Sequence, residues 1–124
     1  MLHERIKLEV PGSEIYANVV TYLISHSEEI GIDTRPLVII CPGGGYCFTS
    51  EREAEMFALK WNSYGYHAMV VWYSVRPAVY PTALLELASV VNMAQEKAEL
   101  WHIDCDKIFI QGSSAGGHLA ASYG

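Results

Sequence analysis

The segment Gly112-Ser113-Ser114-Ala115-Gly116 has the residue types and spacing best suited to covalent chemistry in this chain. It has the pattern G-x-S-x-G, and it lies between an apolar run typical of a buried strand and the sequence HLAAS, which is typical of a helix start. A strand that reverses into a helix this quickly exposes the central side chain at a sharp turn, and glycine fits two positions to either side. The pattern predicts Ser114 as a nucleophile, Ser113 as its variable neighbour, and the Ala115 backbone N–H as a donor to a developing oxyanion.

Two other interpretations of this segment remain open. A serine-rich stretch before a helix can act only as a helix cap. Gly112, Gly116 and Gly117 also open a helix after a strand, which is the setting of a phosphate-binding turn. The dinucleotide fingerprint G-x-G-x-x-G is absent, and it would be expected on the first strand–helix turn of its fold rather than here.

A second candidate is the glycine-rich loop Pro42-Gly43-Gly44-Gly45-Tyr46, which follows the apolar run 37–41. Glycines allow a backbone to approach a substrate carbonyl with no side chain in the way, so such a loop can donate N–H groups to an oxyanion. We expect Gly44 and Gly45 to be the donors, and the sequence does not exclude Gly43. The alternative is a loop that is merely flexible.

The remaining sequence predicts the elements that must position these residues. Alternating apolar residues at 6, 8 and 10, followed by a Pro-Gly-Ser turn and residues 15–24, indicate an antiparallel hairpin. Apolar runs predict strands over 37–41, 67–73 and 107–111, and helical periodicity predicts helices over 50–61 and 82–101, the first begun by a Ser50–Glu53 capping box. Strands that alternate with amphipathic helices predict a single α/β domain over residues 1–124, with a mostly parallel sheet covered by helices on both faces.

Three stretches together carry a resemblance to a known family: CPGGGYCFTSEREAE, WYSVRPAVYPTALLEL and DKIFIQGSSAGGHLAAS. In this order they resemble the N-terminal half of an α/β-hydrolase of the esterase/lipase type, similar to acetyl-xylan-esterase-like and feruloyl-esterase-like proteins. Pro42 stands where the family's HGGG loop has histidine. The resemblance implies a sheet order of 1-2-4-3-5, no cofactor, and hydrolysis of small carboxylic esters, with acetyl groups on sugars as one candidate substrate.

The resemblance also implies that the catalytic acid and histidine follow the nucleophile in chain order. After Ser114 the only histidine or acidic residue is His118, which lies within the same helical turn and is expected to be structural. The chain is therefore expected to be the N-terminal part of the fold, truncated after strand 5, and inactive or nearly so by itself. Its strand over 107–111 is expected to be an open edge that pairs with a second copy or with a missing C-terminal half.

Composition excludes several other classes. A net charge of −6, with 8 Lys and Arg against 14 Asp and Glu, argues against nucleic acid as a partner. No apolar run is long enough to span a membrane, no histidine spacing indicates a metal site, and the N-terminus lacks the pattern of an export signal. The three cysteines Cys41, Cys47 and Cys105 match no metal motif, so we expect reduced thiols and a cytoplasmic location.

Overall fold

The computed structural model describes all residues from Met1 to Gly124. The chain forms five strands and four α-helices. In chain order these are β1 (Arg5–Lys7), β2 (Asn18–Tyr22), β3 (Arg35–Cys41), α1 (Glu55–Ser63), β4 (His67–Trp72), α2 (Thr82–Glu96), α3 (Ala98–Trp101), β5 (Ile103–Gly112) and α4 (Ala115–Tyr123).

The five strands form one open sheet in the order β1-β2-β4-β3-β5, which confirms the order that the resemblance implied. β4, β3 and β5 run parallel to one another, whereas β1 and β2 run antiparallel to their neighbours. The sheet is thus mixed, and its parallel half carries both glycine-rich segments at the carboxyl ends of β3 and β5. Candidate site residues therefore meet at one end of the sheet, where α/β folds place their ligands.

Apolar side chains cover both faces of this sheet. One core includes Leu37, Ile39 and Met69 from the strands, packed against Leu87 of α2 and Leu119 of α4. Alternate residues of the same strands point to the other face, where they pack against Ala54 and Ala58 at the start of α1. Because neighbouring strand residues alternate between two buried faces, β3 and β4 are continuous apolar runs.

Several predicted boundaries differ from the structure. The predicted helix over 82–101 is interrupted at Lys97, where the chain turns so that Trp101 packs into the core. β5 begins at Ile103 rather than 107, so Asp104 and Asp106, which from the sequence resemble a turn before the strand, lie within the strand. The predicted hairpin is reduced to short strands, because beyond Lys7 the chain is tied by local turn hydrogen bonds such as that from Val10 N to Ser13 Oγ.

The predicted Ser50–Glu53 capping box is wrong. Residues Glu51–Glu53 form a short 3-10 turn, α1 begins only at Glu55, and Ser50 makes no side-chain capping bond. The backbone N–H of Ser50 donates to Gly43 O at 2.8 Å. The Glu53 carboxylate accepts instead from Gly43 N at 2.9 Å, so the glycine-rich loop takes both groups that the capping box would have paired.

Glu86 in α2 is a buried carboxylate that the sequence pattern does not reveal. Its oxygens accept hydrogen bonds from Ser74 N and Ser74 Oγ, both at 2.6 Å, and from Ser13 Oγ at 2.7 Å. A buried carboxylate without such donors would cost several kcal/mol. These bonds join α2 to the N-terminal turn and to Ser74 in the loop after β4, which leads towards the candidate site.

His67 at the start of β4 is fully buried and uses both ring nitrogens. Its Nδ1 accepts from Ile24 N at 3.0 Å, so its Nε2–H donates to His102 O at 3.1 Å. Burial lowers the pKa of His67 from 6.5 to about 4. The ring is therefore a neutral structural link between three segments, at the opposite end of the strands from the glycine-rich turns.

The low pKa of His67 predicts a loss of stability in mild acid. The folded state keeps this ring neutral down to about pH 4, while the unfolded chain protonates it near pH 6.5, so lowering the pH between these values favours unfolding. We expect the free energy of unfolding to fall by about 3 kcal/mol across this window. Urea titrations at several pH values measure it. His67→Gln is expected to flatten the dependence and His118→Gln to retain it; equal slopes in all three proteins would contradict the assignment.

β5 is the outer strand on the parallel side of the sheet. Phe109, near the middle of β5, is half exposed, although strands of a parallel sheet are usually buried on both faces. The structure thus places an apolar edge where the sequence predicts one. No helix in the chain combines the length and apolar character that crossing a bilayer requires.

Candidate active site

Ser114 lies at a sharp turn between the last residue of β5 and the first residue of α4. Its backbone has φ 52° and ψ −117°, a conformation rarely adopted by a residue with a side chain, and the residue is exposed. Holding a non-glycine residue there costs about 1–3 kcal/mol, which the packing on either side must offset. The serine is thus presented at a strained tip and is not part of the regular helix.

The two glycines of the pattern are required by close backbone approaches. A Cβ on Gly112 would overlap the carbonyl of Gly116 and lie 2.5 Å from Gly117 N. A Cβ on Gly116 would overlap the carbonyl of Cys41 and lie 2.7 Å from Pro42 O. The second approach shows that α4 begins directly against the end of β3, where the glycine-rich loop starts.

The glycine-rich loop lies against the Ser114 turn. A Cβ placed on Gly43 would be 3.2 Å from the Cβ of Ser114, and Ser113 N donates to Cys41 O at 3.3 Å. The N–H of Gly43 is occupied by Glu53, whereas the N–H groups of Gly44, Gly45 and Ala115 have no acceptor within the protein. The structure thus places the start of the glycine-rich loop against the predicted nucleophile, with the N–H of Gly43 already occupied and those of Gly44, Gly45 and Ala115 unpaired.

A buried tyrosine is hydrogen-bonded to the start of the same loop. The hydroxyl of Tyr73, directly after β4, donates to Pro42 O. Burial raises the pKa of Tyr73, so the phenol stays protonated and keeps this donor. Burial also raises the pKa of the neighbouring Cys41 thiol to about 12, which makes it a packing group and a poor nucleophile. Cys47 and Cys105 are free and exposed.

Tyr46 joins the glycine-rich loop to α4 and to the loop after β4. It has a left-handed backbone with φ 61°, its hydroxyl lies 2.8 Å from His118 Nδ1, and its carbonyl accepts from Arg76 N at 2.7 Å. The sequence suggested Tyr46 only as a residue that lines a pocket or packs in the core. Its bridging contacts were not predictable, because they join positions far apart in the chain.

Neither a histidine nor a carboxylate is hydrogen-bonded to the Ser114 hydroxyl. His118, the only histidine that follows it, is bonded to Tyr46, which agrees with a structural role. His67 is buried with both nitrogens used, and the carboxylate of Glu53 is bonded to Gly43. Residues 1–124 therefore present a serine and N–H donors without a general base in place.

A cavity of about 270 Å³ opens between the loop after β4, the start of α2 and α4. Tyr46, Tyr80, Arg76 and His118 are among its lining residues, so its wall continues directly from the glycine-rich loop and from the helix that begins after Ser114. From the sequence, the loop positions of Tyr46 and Tyr80 allow either pocket lining or core packing; both residues line this cavity, and Tyr46 also packs against the core. Nothing in the sequence pattern had drawn attention to Arg76.

Comparison with known proteins gives a consistent result. The sequence profile of the BD-FAE family matches residues 26–124. Solved structures with the same fold include MGS-M1, an alpha/beta hydrolase enzyme from a Medee basin deep-sea metagenome library, which is 37% identical with a TM-score of 0.89 over 96% of this chain and 49% of its own. The carboxylesterase Cest-2923 from Lactobacillus plantarum WCFS1 is 31% identical, with a TM-score of 0.89 over 99% of this chain and 46% of its own.

A third solved structure, the acetyl ester-xyloside bifunctional hydrolase from Caldicellulosiruptor lactoaceticus, is 30% identical, with a TM-score of 0.84 over 95% of this chain and 45% of its own. Residues 1–124 thus span about half the length of the solved structures that they match.

Proposed function

The chain belongs to the BD-FAE family and has the α/β-hydrolase fold of esterases, and from this premise we propose that it supplies the nucleophilic half of a serine carboxylesterase. The observation that carries the proposal is the strained, exposed Ser114 between β5 and α4. A phosphate-binding turn or a helix cap needs no such conformation at a serine, so the nucleophile interpretation accounts for more of the geometry.

In the proposed reaction the Ser114 hydroxyl attacks the ester carbonyl carbon and passes its proton to a base. The N–H groups of Gly44, Gly45 and Ala115 then stabilise the negative charge on the former carbonyl oxygen. Collapse of this intermediate releases the alcohol, which takes up the proton, and leaves an ester between the acyl group and Ser114. Water hydrolyses that ester and regenerates the serine. No metal or cofactor takes part in this scheme.

The base and its orienting acid are proposed to come from chain outside residues 1–124, since no histidine or carboxylate in these residues is hydrogen-bonded to the Ser114 hydroxyl. Without a base, a serine hydroxyl is a weak nucleophile near neutral pH. A serine and oxyanion donors alone retain about 10³- to 10⁴-fold acceleration over water, far below a complete site. We therefore expect residues 1–124 alone to react slowly.

The proposed substrates are small carboxylic esters, with acetyl esters of sugars as the leading candidates. Support comes from the carboxylesterase and the acetyl ester-xyloside hydrolase among the structural neighbours. The small cavity beside the glycine-rich loop suits a compact substrate. Nucleic acid and membrane are not proposed as partners, and a cytoplasmic location stays a prediction from the cysteines.

The edge of β5 supports a second candidate role, that of an interaction module. Its half-exposed Phe109 and unpaired backbone form a template for another strand, from a second copy or from the C-terminal half of the fold. The oligomeric state separates the cases. A dimer that disperses on Phe109→Lys would favour self-pairing, and a stable, compact monomer would argue against an exposed pairing edge.

A fluorophosphonate probe tests the proposed chemistry directly. We expect one covalent adduct, which peptide mass mapping places on Ser114 rather than Ser113, because only the former occupies the strained tip. Labelling is expected to accelerate when the chain is extended by the C-terminal half that its solved relatives possess. Absence of an adduct on Ser114 in both forms would reject the proposal, and stabilisation of the fold by nucleotides would favour a phosphate-binding turn instead.

A further inference from the structure

The cavity between the loop after β4, α2 and α4 has one Arg among walls that are mostly apolar or aromatic, the other polar residues being Ser74, His118 and Ser122. Arg76, in the loop after β4, is the only Lys, Arg, Asp or Glu that lines it. Its side chain is exposed, and no carboxylate lies within ion-pairing distance of it, since the one ion pair in the chain joins His26 and Glu28. Arg76 therefore offers a free guanidinium at the cavity.

The placement of this cation matters because the protein as a whole is acidic. With a net charge of −6, most of the surface repels anions. A ligand that carries a negative charge would need a specific positive group where it binds, and a guanidinium suits a carboxylate because it can donate two parallel hydrogen bonds. The charge of Arg76 thus favours an anionic group over a neutral one in this cavity.

The rest of the wall indicates what the anion is attached to. Tyr80 and Val79 line the cavity while remaining 83% and 75% exposed, so their apolar surface is open to contact with a ligand. Tyr46 lines it from the side of the glycine-rich loop. The volume of about 270 Å³ lies just below the usual range for small-molecule sites, so one ring fits better than an extended chain.

We propose that this cavity binds the non-reacting part of an ester substrate, and that this part is a single ring bearing a carboxylate. The ring packs against Tyr46 and Tyr80, and the carboxylate pairs with Arg76. The inference rests on the proposed esterase function, because the ligand is a substrate only if that function holds. It adds the chemical class of ligand that the cavity selects. The carbonyl to be attacked would lie towards Gly44, Gly45 and Ser114, on the side of the cavity bounded by Tyr46.

Binding of a minimal ring carboxylate to the chain tests this inference without any turnover. Phenylacetate is the probe, and its neutral isostere phenylacetamide is the comparison; both are titrated while backbone amide shifts are followed by NMR. We expect phenylacetate to bind with a Kd of about 1 mM, as suits a ligand of this size. Phenylacetate should bind about fivefold more tightly than phenylacetamide and shift the backbone N–H signals of the non-proline residues within 76–84 and 118–122.

Substitutions assign the preference to Arg76. Arg76→Gln is expected to remove the difference between the two probes, and Arg76→Lys to restore part of it because the charge remains. Arg5→Gln, on β1 at the far edge of the sheet, is the matched control and should leave both Kd values unchanged. The inference is overturned if the probes bind equally, if neither binds, or if Arg76→Gln leaves the preference intact.

The failure of this inference can be told apart from failure of the proposed function. Ser114→Ala should leave the Kd of phenylacetate unchanged, because the anion is held by Arg76 and not by the oxyanion donors. Shifts confined to Gly44, Gly45 and Ala115 would show the carboxylate in the oxyanion site and reject the Arg76 assignment. Normal binding in a chain that forms no adduct on Ser114 would instead reject only the esterase proposal.

Discussion

Ser114→Ala is expected to abolish both fluorophosphonate labelling and ester hydrolysis, with a loss of at least about 10³-fold in rate, because it removes the attacking oxygen. Ser113→Ala should keep the rate within about twofold, since that residue precedes the strained tip and has no proposed role in the reaction. Adduct mass and the rate of p-nitrophenyl acetate hydrolysis, each measured with and without the C-terminal extension, provide the test. Equal losses of rate in Ser113→Ala and Ser114→Ala would show that the reaction depends on the conformation of the turn and not on the Ser114 hydroxyl.

The strain at this serine gives an independent control. Its φ of 52° and ψ of −117° suit glycine far better than alanine, so Ser114→Gly should be more stable than Ser114→Ala by about 1 kcal/mol. Both variants lack the hydroxyl and both should be unreactive. A glycine variant that gains stability while losing activity would mark the position as one where strain is kept for function. Equal stabilities would contradict the backbone conformation.

Gly116→Ala is expected to destabilise the fold by about 3 kcal/mol and to slow any labelling of Ser114. The added Cβ would overlap the carbonyl of Cys41, and backbone atoms cannot rotate away as a side chain can. Relief requires α4 to move off the end of β3, which separates Ser114 from the glycine-rich loop. Urea denaturation measures the free energy of unfolding, and the probe rate reports the site.

Gly117→Ala is the matched control for that substitution. It places the same methyl group one residue later in the same helix, where the nearest atom outside its neighbours, Gly112 O, would be 3.3 Å away. The mild crowding is offset by the better helix propensity of alanine, so we expect a change within about 1 kcal/mol. If both variants were equally destabilised, the close approach to β3 would not be the cause.

Features that depend on neighbouring residues were predictable from the sequence. The alternation and runs of apolar residues predicted the existence and type of the main strands and helices, because burial on one or two faces leaves a local period. The G-x-S-x-G pattern predicted the turn at Ser114 for the same reason, since two glycines are needed wherever a strand reverses so tightly. The boundaries of the elements were predicted less accurately than their type. The helix over 82–101 was wrongly predicted as continuous, because the turn at Lys97 contains no glycine or proline that would mark a break.

The Ser50–Glu53 capping box shows where local reasoning fails. Those residues have the right spacing, yet the Glu53 carboxylate accepts a hydrogen bond from the N–H of Gly43, ten positions earlier. The N–H of Ser50 donates to the carbonyl oxygen of the same glycine. A sequence pattern compares a residue only with its neighbours, whereas a polar group takes whichever partner the fold brings nearest. That exchange also bears on the proposed oxyanion donors, because it occupies the N–H of Gly43 and leaves those of Gly44 and Gly45 without an acceptor.

The sequence by itself determined which turn is the candidate for nucleophilic chemistry, since G-x-S-x-G at a strand–helix junction marks a sharp turn with an exposed serine, and it determined the layers that hold this turn. Tertiary structure alone decided which groups support the candidate site. Glu53 bonds to the glycine-rich loop and Tyr46 to His118, the buried Glu86 bonds to Ser74 in the loop after β4, and Arg76 lines the cavity. The physical reason is that these effects differ in how far along the chain they act. Backbone conformation is governed by adjacent residues, but hydrogen bonds, burial and charge act through space between elements that only folding brings together.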